Sequence, residues 1–160
     1  MSFQTLGWSV AALCVICLSA CGSKGGPKAS DAHLNRAQAK GVFPSVLGSF
    51  AQGGFKIEEP AAGCAQYKSD YLRGQKSVKV VINDCLPDGD SDWDELTFDD
   101  ESEVGGFPTA LAEDGQLKTL MVRVGSRFRV DFKSRNLGED ALVEVAQTYS
   151  WSKLKGLSGL

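Results

Sequence analysis

Residues 64–85 read CAQYKSDYLRGQKSVKVVINDC, and the way this stretch pairs with itself decides the fold. Apolar residues alternate with polar ones on both sides of Arg73-Gly74-Gln75-Lys76, the pattern of two half-buried strands. A two-residue turn with glycine first suits type II′, which needs a positive φ there. Centred on Gly74-Gln75, that turn sets Arg73 opposite Lys76 and, counted outward, Cys64 opposite Cys85. The cysteines then fall at a non-hydrogen-bonded position, where Cα atoms lie ~4.5 Å apart, within the span of a disulfide. The same register puts Asp70 opposite Lys79, a favourable cross-strand pair. It gathers Tyr67, Tyr71, Val78, Val80 and Ile82 on one face. A Cys64–Cys85 disulfide closing an antiparallel hairpin is therefore expected.

A second hairpin is legible in QLKTLMVRVGSRFRVDFKS, residues 116–134. Gly125-Ser126 reads as another two-residue turn, with Val124 opposite Arg127. This predicts a core face of Leu117, Met121, Phe128, Val130 and Phe132. The other face would carry Leu120, Val122 and Val124 beside Arg127, Arg129 and Lys133. The chain ends in GEDALVEVAQTYSWSKLKGL, residues 138–157. Leu142, Val145, Ala146 and Tyr149 keep the spacing of an amphipathic helix, and Glu139 and Asp140 suit the dipole of its first turn. Trp151, Leu154 and Leu157 fold back on the domain. Strands first and a helix last predict an α+β fold: an antiparallel sheet built from two hairpins, one face covered by a C-terminal helix. GGFKIEE, from residue 53, reads as a short first strand, and GGFPTAL, from residue 105, as a short strand broken by Pro108.

The N-terminus speaks to compartment. Residues 6–20, LGWSVAALCVICLSA, are uncharged, too short for a membrane span of ~20 residues and of signal-peptide length. Met1–Thr5 lacks the usual Lys or Arg. The run ends in Leu18-Ser19-Ala20-Cys21, which resembles the lipobox of bacterial lipoproteins. The resemblance implies cleavage before Cys21 and a diacylglycerol on its sulfur, and Gly22 in the next position implies an outer-membrane destination facing the periplasm. Two or three acyl chains hold a protein stably on a bilayer, where one is marginal. Cys14 and Cys17 leave with the signal run. This divides the chain into a signal peptide at 1–20, a lipid-anchored flexible linker at 21–41 and a single domain at 42–160. A short helix is expected over 31–39 with Ser30 as N-cap, and the lone His33 is expected to be solvated. The linker reaches on the order of 25 Å. The domain also resembles small envelope lipoproteins of unassigned function, through the Val78–Asp84 strand and the Gly125–Val130 hairpin. More distantly it is similar to sheet-plus-helix domains of the PsbP/Mog1 type.

Charge is uneven. The 160 residues carry 17 Lys and Arg against 20 Asp and Glu, net −3, which argues against nucleic-acid binding. Nine of the acids fall in residues 87–103, PDGDSDWDELTFDDESE, so the remainder has 11 acids against 17 bases. Asp88, Asp90, Asp92 and Asp94 alternate like the start of an EF-hand loop. Trp93 stands where that loop needs glycine, and Asp99 where it needs a bidentate glutamate. At most this leaves a weak calcium site, Kd ~10⁻⁴–10⁻³ M. Trp93, Leu96 and Phe98 argue for a segment pinned to the core with its acids outside, available for docking. Arg127, Arg129, Lys133 and Arg135 form its basic counterpart. No catalytic triad or cofactor motif is present: the single histidine removes His-based dyads and multi-histidine metal sites. The sequence thus predicts a non-enzymatic interaction or accessory module without cofactor, tethered to the membrane by lipid and partnered by an envelope protein. An immunity protein against a periplasmic toxin, or a small-ligand module, is the alternative.

Overall fold

The computed structural model describes residues 32–58, 63–86 and 97–160. Their centrepiece is one antiparallel sheet of eight strands. In chain order these are β1 (Val46–Leu47), β2 (Phe50–Glu58), β3 (Cys64–Arg73), β4 (Lys76–Cys85), β5 (Asp99–Val104), β6 (Phe107–Asp114), β7 (Leu117–Val124) and β8 (Phe128–Ser134). Across the sheet the order is β1-β2-β3-β4-β8-β7-β6-β5, so β4 and β8 join two hairpin meanders at the centre. Helix α1 (Arg36–Val42) precedes the strands, and α2 (Glu139–Gln147) and α3 (Trp151–Ser158) follow them. The class is α+β, as expected, with a larger sheet than two hairpins.

The opening stretch pairs as read. Arg73 faces Lys76, Asp70 faces Lys79 and Cys64 faces Cys85. The cysteines are bonded, their Cα atoms 4.1 Å apart, and Tyr67, Tyr71, Val78, Val80 and Ile82 lie together in the core.

The second hairpin is shifted by one residue from the expectation. Val124 faces Phe128, not Arg127, because Gly125, Ser126 and Arg127 all belong to the loop. Since side chains alternate between faces, a one-residue slip moves every side chain of β7 to the other face relative to β8. The core face is therefore Leu120, Val122, Val124, Phe128, Val130 and Phe132, each at most 3% exposed. Met121 points to the opposite face, and Leu117 is half-buried at the strand end.

Two further expectations change. Pro108 does not break β6. It lies next to the irregular pairing with edge strand β5, where a missing N–H costs little. The helix at the start spans Arg36–Val42, capped by Asn35 and not Ser30. Asn35 Oδ1 accepts from the amides of Ala37 and Gln38, and Gln38 reciprocates to Asn35 N. This capping box holds a seven-residue helix that would be marginal alone. The folded body accordingly begins ahead of residue 42, with Leu34, Ala39 and Val42 all in the core.

The C-terminal helices close the core face. Leu142, Val145 and Ala146 of α2 and Trp151 and Leu154 of α3 are buried. Trp151 stacks at 4.8 Å from Tyr149, 5.9 Å from Phe132 and 5.8 Å from Phe107. Its indole N–H donates to the Ala146 carbonyl at 3.0 Å.

Candidate functional site

Two polar constructions stand out, one on each face of the sheet. The first fastens the N-terminal segment. Asp84 follows Val78, Val80 and Ile82 on the core face and is fully buried. Arg127, lifted out of the strand by the three-residue loop, meets it there. Its Nε donates to Asp84 Oδ1 at 2.7 Å and its Nη2 to Oδ2 at 3.2 Å. The same Nη2 reaches the Ala32 carbonyl at 2.7 Å, and the Leu34 amide donates to Asp84 Oδ2 at 2.7 Å. His33 Nδ1 lies 3.7 Å from that oxygen, so the histidine stands beside the lock and not free in solvent. Three buried tyrosines continue the seam. Tyr67 donates to the Leu34 carbonyl at 2.6 Å, Tyr149 to Val42 at 2.8 Å and Tyr71 to Pro44 at 2.8 Å. Burial pushes the Tyr67 phenol up to about 12 and raises those of Tyr71 and Tyr149 as well.

The second construction is the outer face, which no described helix covers. Side chains there line up in rows across the strands. One row runs Glu58, Gln66, Asn83, Arg129, Arg123. The next runs Lys56, Lys68, Val81, Asp131, Met121, and the third Gly54, Asp70, Lys79, Lys133, Thr119. Three directly opposed pairs are like-charged: Arg123 with Arg129, Lys56 with Lys68, and Lys79 with Lys133. Such pairs destabilise a sheet unless something answers the charge.

Answers exist for several. Lys68 bonds Glu58, which holds that carboxyl below its ordinary range. Asp131, 2% exposed, accepts from Arg129 Nε at 2.9 Å and lies 3.4 Å from Lys133 Nζ. The Arg123 guanidinium sits 5.9 Å over the Phe98 ring. Among the described residues, Lys79 and Arg135 make no ion pair.

Below this last row the face opens into a groove of about 760 Å³, lined by Asp70, Leu72, Lys79, Leu117, Lys133 and Arg135 together with Gly53 and Gly54. The two glycines sit at a register shift in β2. A Cβ on Gly54 would meet nothing within 4 Å, so that side of the groove stays open. Leu72 is half exposed on one wall. At the far end Ser134 Oγ donates to Ser77 O at 2.7 Å, and Asn136 Nδ2 to Gln75 O at 2.7 Å. These bonds fix the backbone on both sides of Arg135.

The basic set read from sequence is therefore divided. Arg127 is buried on the core face in the lock, Arg129 and Lys133 share Asp131 outside, and exposed Arg135 stands at the groove. Asp84 and Asp131, which complete these sites, were not among the residues singled out, and Lys79 was read only as the cross-strand partner of Asp70. Cys21 and Asp88, Asp90, Asp92 and Asp94 lie outside the described residues. Asp99 opens β5 opposite Thr109, and Phe98 marks where the acidic run returns to the sheet. Among the described residues no three His, Cys, Asp or Glu gather into a possible metal site, and no helix is long and apolar enough to cross a membrane. Compared with protein-family models, curated proteins and solved structures, the chain shows no significant match.

Proposed function

We propose that the protein is a lipid-anchored envelope protein, held at the outer membrane through Cys21 and facing the periplasm, whose folded domain is a non-enzymatic interaction module. The observation that carries this reading is Leu18-Ser19-Ala20-Cys21 at the end of a fifteen-residue uncharged run. The Cys64–Cys85 disulfide supports it, because such bonds persist in oxidising compartments and are rare in the cytosol. The outer sheet face, with its opposed basic pairs, supports an interaction role, since charge on an exposed face steers a partner toward it.

The test is metabolic labelling with palmitate in a bacterial host that processes lipoproteins. The chain should take up label and fractionate with outer membrane. Cys21→Ser should lose the label and leave the membrane fraction. A wild-type chain without label, or a labelled Cys21→Ser chain, would overturn the anchor.

A further inference from the structure

We propose that the outer-face groove binds an acidic, partly apolar peptide segment of a partner protein, with carboxylates over Lys79, Lys133 and Arg135 and apolar side chains against Leu72 and Leu117. This names the partner chemistry of the interaction module proposed above and rests on that part of the reading.

The opposed lysines carry the argument. Lys79 and Lys133 face each other across the two central strands. Asp70, opposite Lys79 on its other side, makes no ion pair with it among the described residues, and Asp131 is shared between Lys133 and Arg129. Among the described residues the groove lining thus holds three cations against the single carboxylate of Asp70. An anion seated between the lysines offsets the repulsion of this opposed pair.

Shape selects the kind of anion. The groove has the ~300–1,000 Å³ size of ligand clefts. The lysines come from the central strands β4 and β8. A free phosphate would leave both leucines unused, whereas a peptide offers acidic and apolar side chains together. Placement agrees. The tether enters at Ala32, beside Asp84, and Lys79 lies five residues back along β4, about 17 Å toward the opposite end of the sheet. The groove therefore lies well away from the point where the proposed tether joins the fold.

The full chain, purified in non-ionic detergent, is titrated into a fluorescein-labelled eight-residue peptide of alternating glutamate and leucine, read by anisotropy. Saturable binding is expected, weakening as salt rises. Lys79→Gln and Lys133→Gln should each weaken it about fivefold, the upper range for an exposed ion pair. Lys56→Gln, on the same face outside the groove, should leave it unchanged, as should phosphate added at ionic strength matched with chloride. A glutamine–leucine peptide should not bind. Absent saturation, equal loss with Lys56→Gln, displacement by phosphate beyond the matched salt effect, or vesicles of phosphatidylglycerol capturing the wild-type domain but not the lysine variants would each overturn the proposal. A palmitate-labelled chain that ignores the peptide leaves the anchor standing and refutes only the groove.

Discussion

Asp84 is the residue on which most of the N-terminal attachment converges. Its position was legible: it continues the alternation of Val78, Val80 and Ile82, so a carboxylate had to enter the core and find a partner there. Its partner was not legible, because Arg127 reaches it only through the loop that the register reading missed. Arg127→Met should cost about 3–5 kcal/mol, since it strands a fully buried carboxylate with a single amide donor. Adding Asp84→Leu in the same chain should recover part of that loss, by removing the orphaned charge. Urea denaturation of the two variants measures both effects, and a single variant within 1 kcal/mol of wild type would show that the pair does not hold the segment. The tyrosines make a second prediction at this scale. Tyr67 ionises at 10.0 when unfolded and at about 12 in the fold, because burial disfavours phenolate. The unfolded chain therefore loses its proton first as pH rises, and stability present in full below pH 10 falls between pH 10 and 12. Tyr71 and Tyr149 act in the same direction. The melting temperature should drop across that window. Tyr67→Phe should start lower at pH 8, by the ~1 kcal/mol of its hydrogen bond, and fall less steeply. Parallel slopes would rule out this phenol as a source.

Among the elements, the two hairpins show how far a turn rule carries. Both offer a glycine followed by a polar residue, and both glycines have positive φ, 58° at Gly74 and 63° at Gly125. Yet one loop has two residues and the other three. The apolar pattern distinguishes them. Leu120, Val122 and Val124 share parity with Phe128, Val130 and Phe132, and residues of equal parity face one another only across a loop of odd length. The core requirement thus outranks the turn preference. What stayed illegible is the pairing of β4 with β8, which are separated by the acidic run and three strands. Without it the opposition of Lys79 to Lys133 cannot be seen, although both residues lie in strands read correctly as strands. The β5–β6 connection gives a prediction that separates backbone from packing. Gly105 has φ +64°, and a Cβ there would sit 2.2 Å from Trp151 Cδ1. Gly115, φ +59°, has nothing within 4 Å of the same position. Gly115→Ala should cost only the left-handed strain, ~1–2 kcal/mol. Gly105→Ala adds an overpacking cost of ~1–3 kcal/mol and displaces the indole from its stack on Tyr149. Thermal melts with tryptophan fluorescence read both, and equal losses would mean that Trp151 does not pack over the turn.

At the scale of the molecule, the sheet separates its two duties by face. One side buries the core and the N-terminal segment, and the other presents charge. Composition placed the start of the domain at residue 42, because SDAHLNRAQAK is polar and its apolar side is thin. The structure begins earlier for a reason that composition does not register. Much of what holds residues 32–44 is their backbone. Arg127, Tyr67, Tyr149 and Tyr71 all donate to carbonyls, and Lys153 Nζ donates to the Gly41 carbonyl at 3.0 Å. Any sequence of suitable shape offers those acceptors, so the attachment is written in the donors, scattered over β3, the β7–β8 loop, the α2–α3 connection and α3. Removing residues 32–43 would take Leu34, Ala39, Val42 and Phe43 out of the core and leave the Tyr67 and Tyr149 phenols without their carbonyl acceptors, each at ~1–3 kcal/mol. With the lost burial of Leu34, Val42 and Phe43, ~1.5–3 kcal/mol each, the loss is comparable to the ~5–15 kcal/mol that a domain has. A chain starting at Ala32 should therefore unfold in urea with the same midpoint and slope as the full protein. One starting at Pro44 should show no cooperative transition. A cooperative transition in the shorter chain would return residues 32–43 to the tether. If instead they belong to the fold, then in the lipid-anchored form proposed above tension on the N-terminus would reach the buried Asp84–Arg127 pair directly, and the groove at the far end of β4 would stay undisturbed while the lock holds.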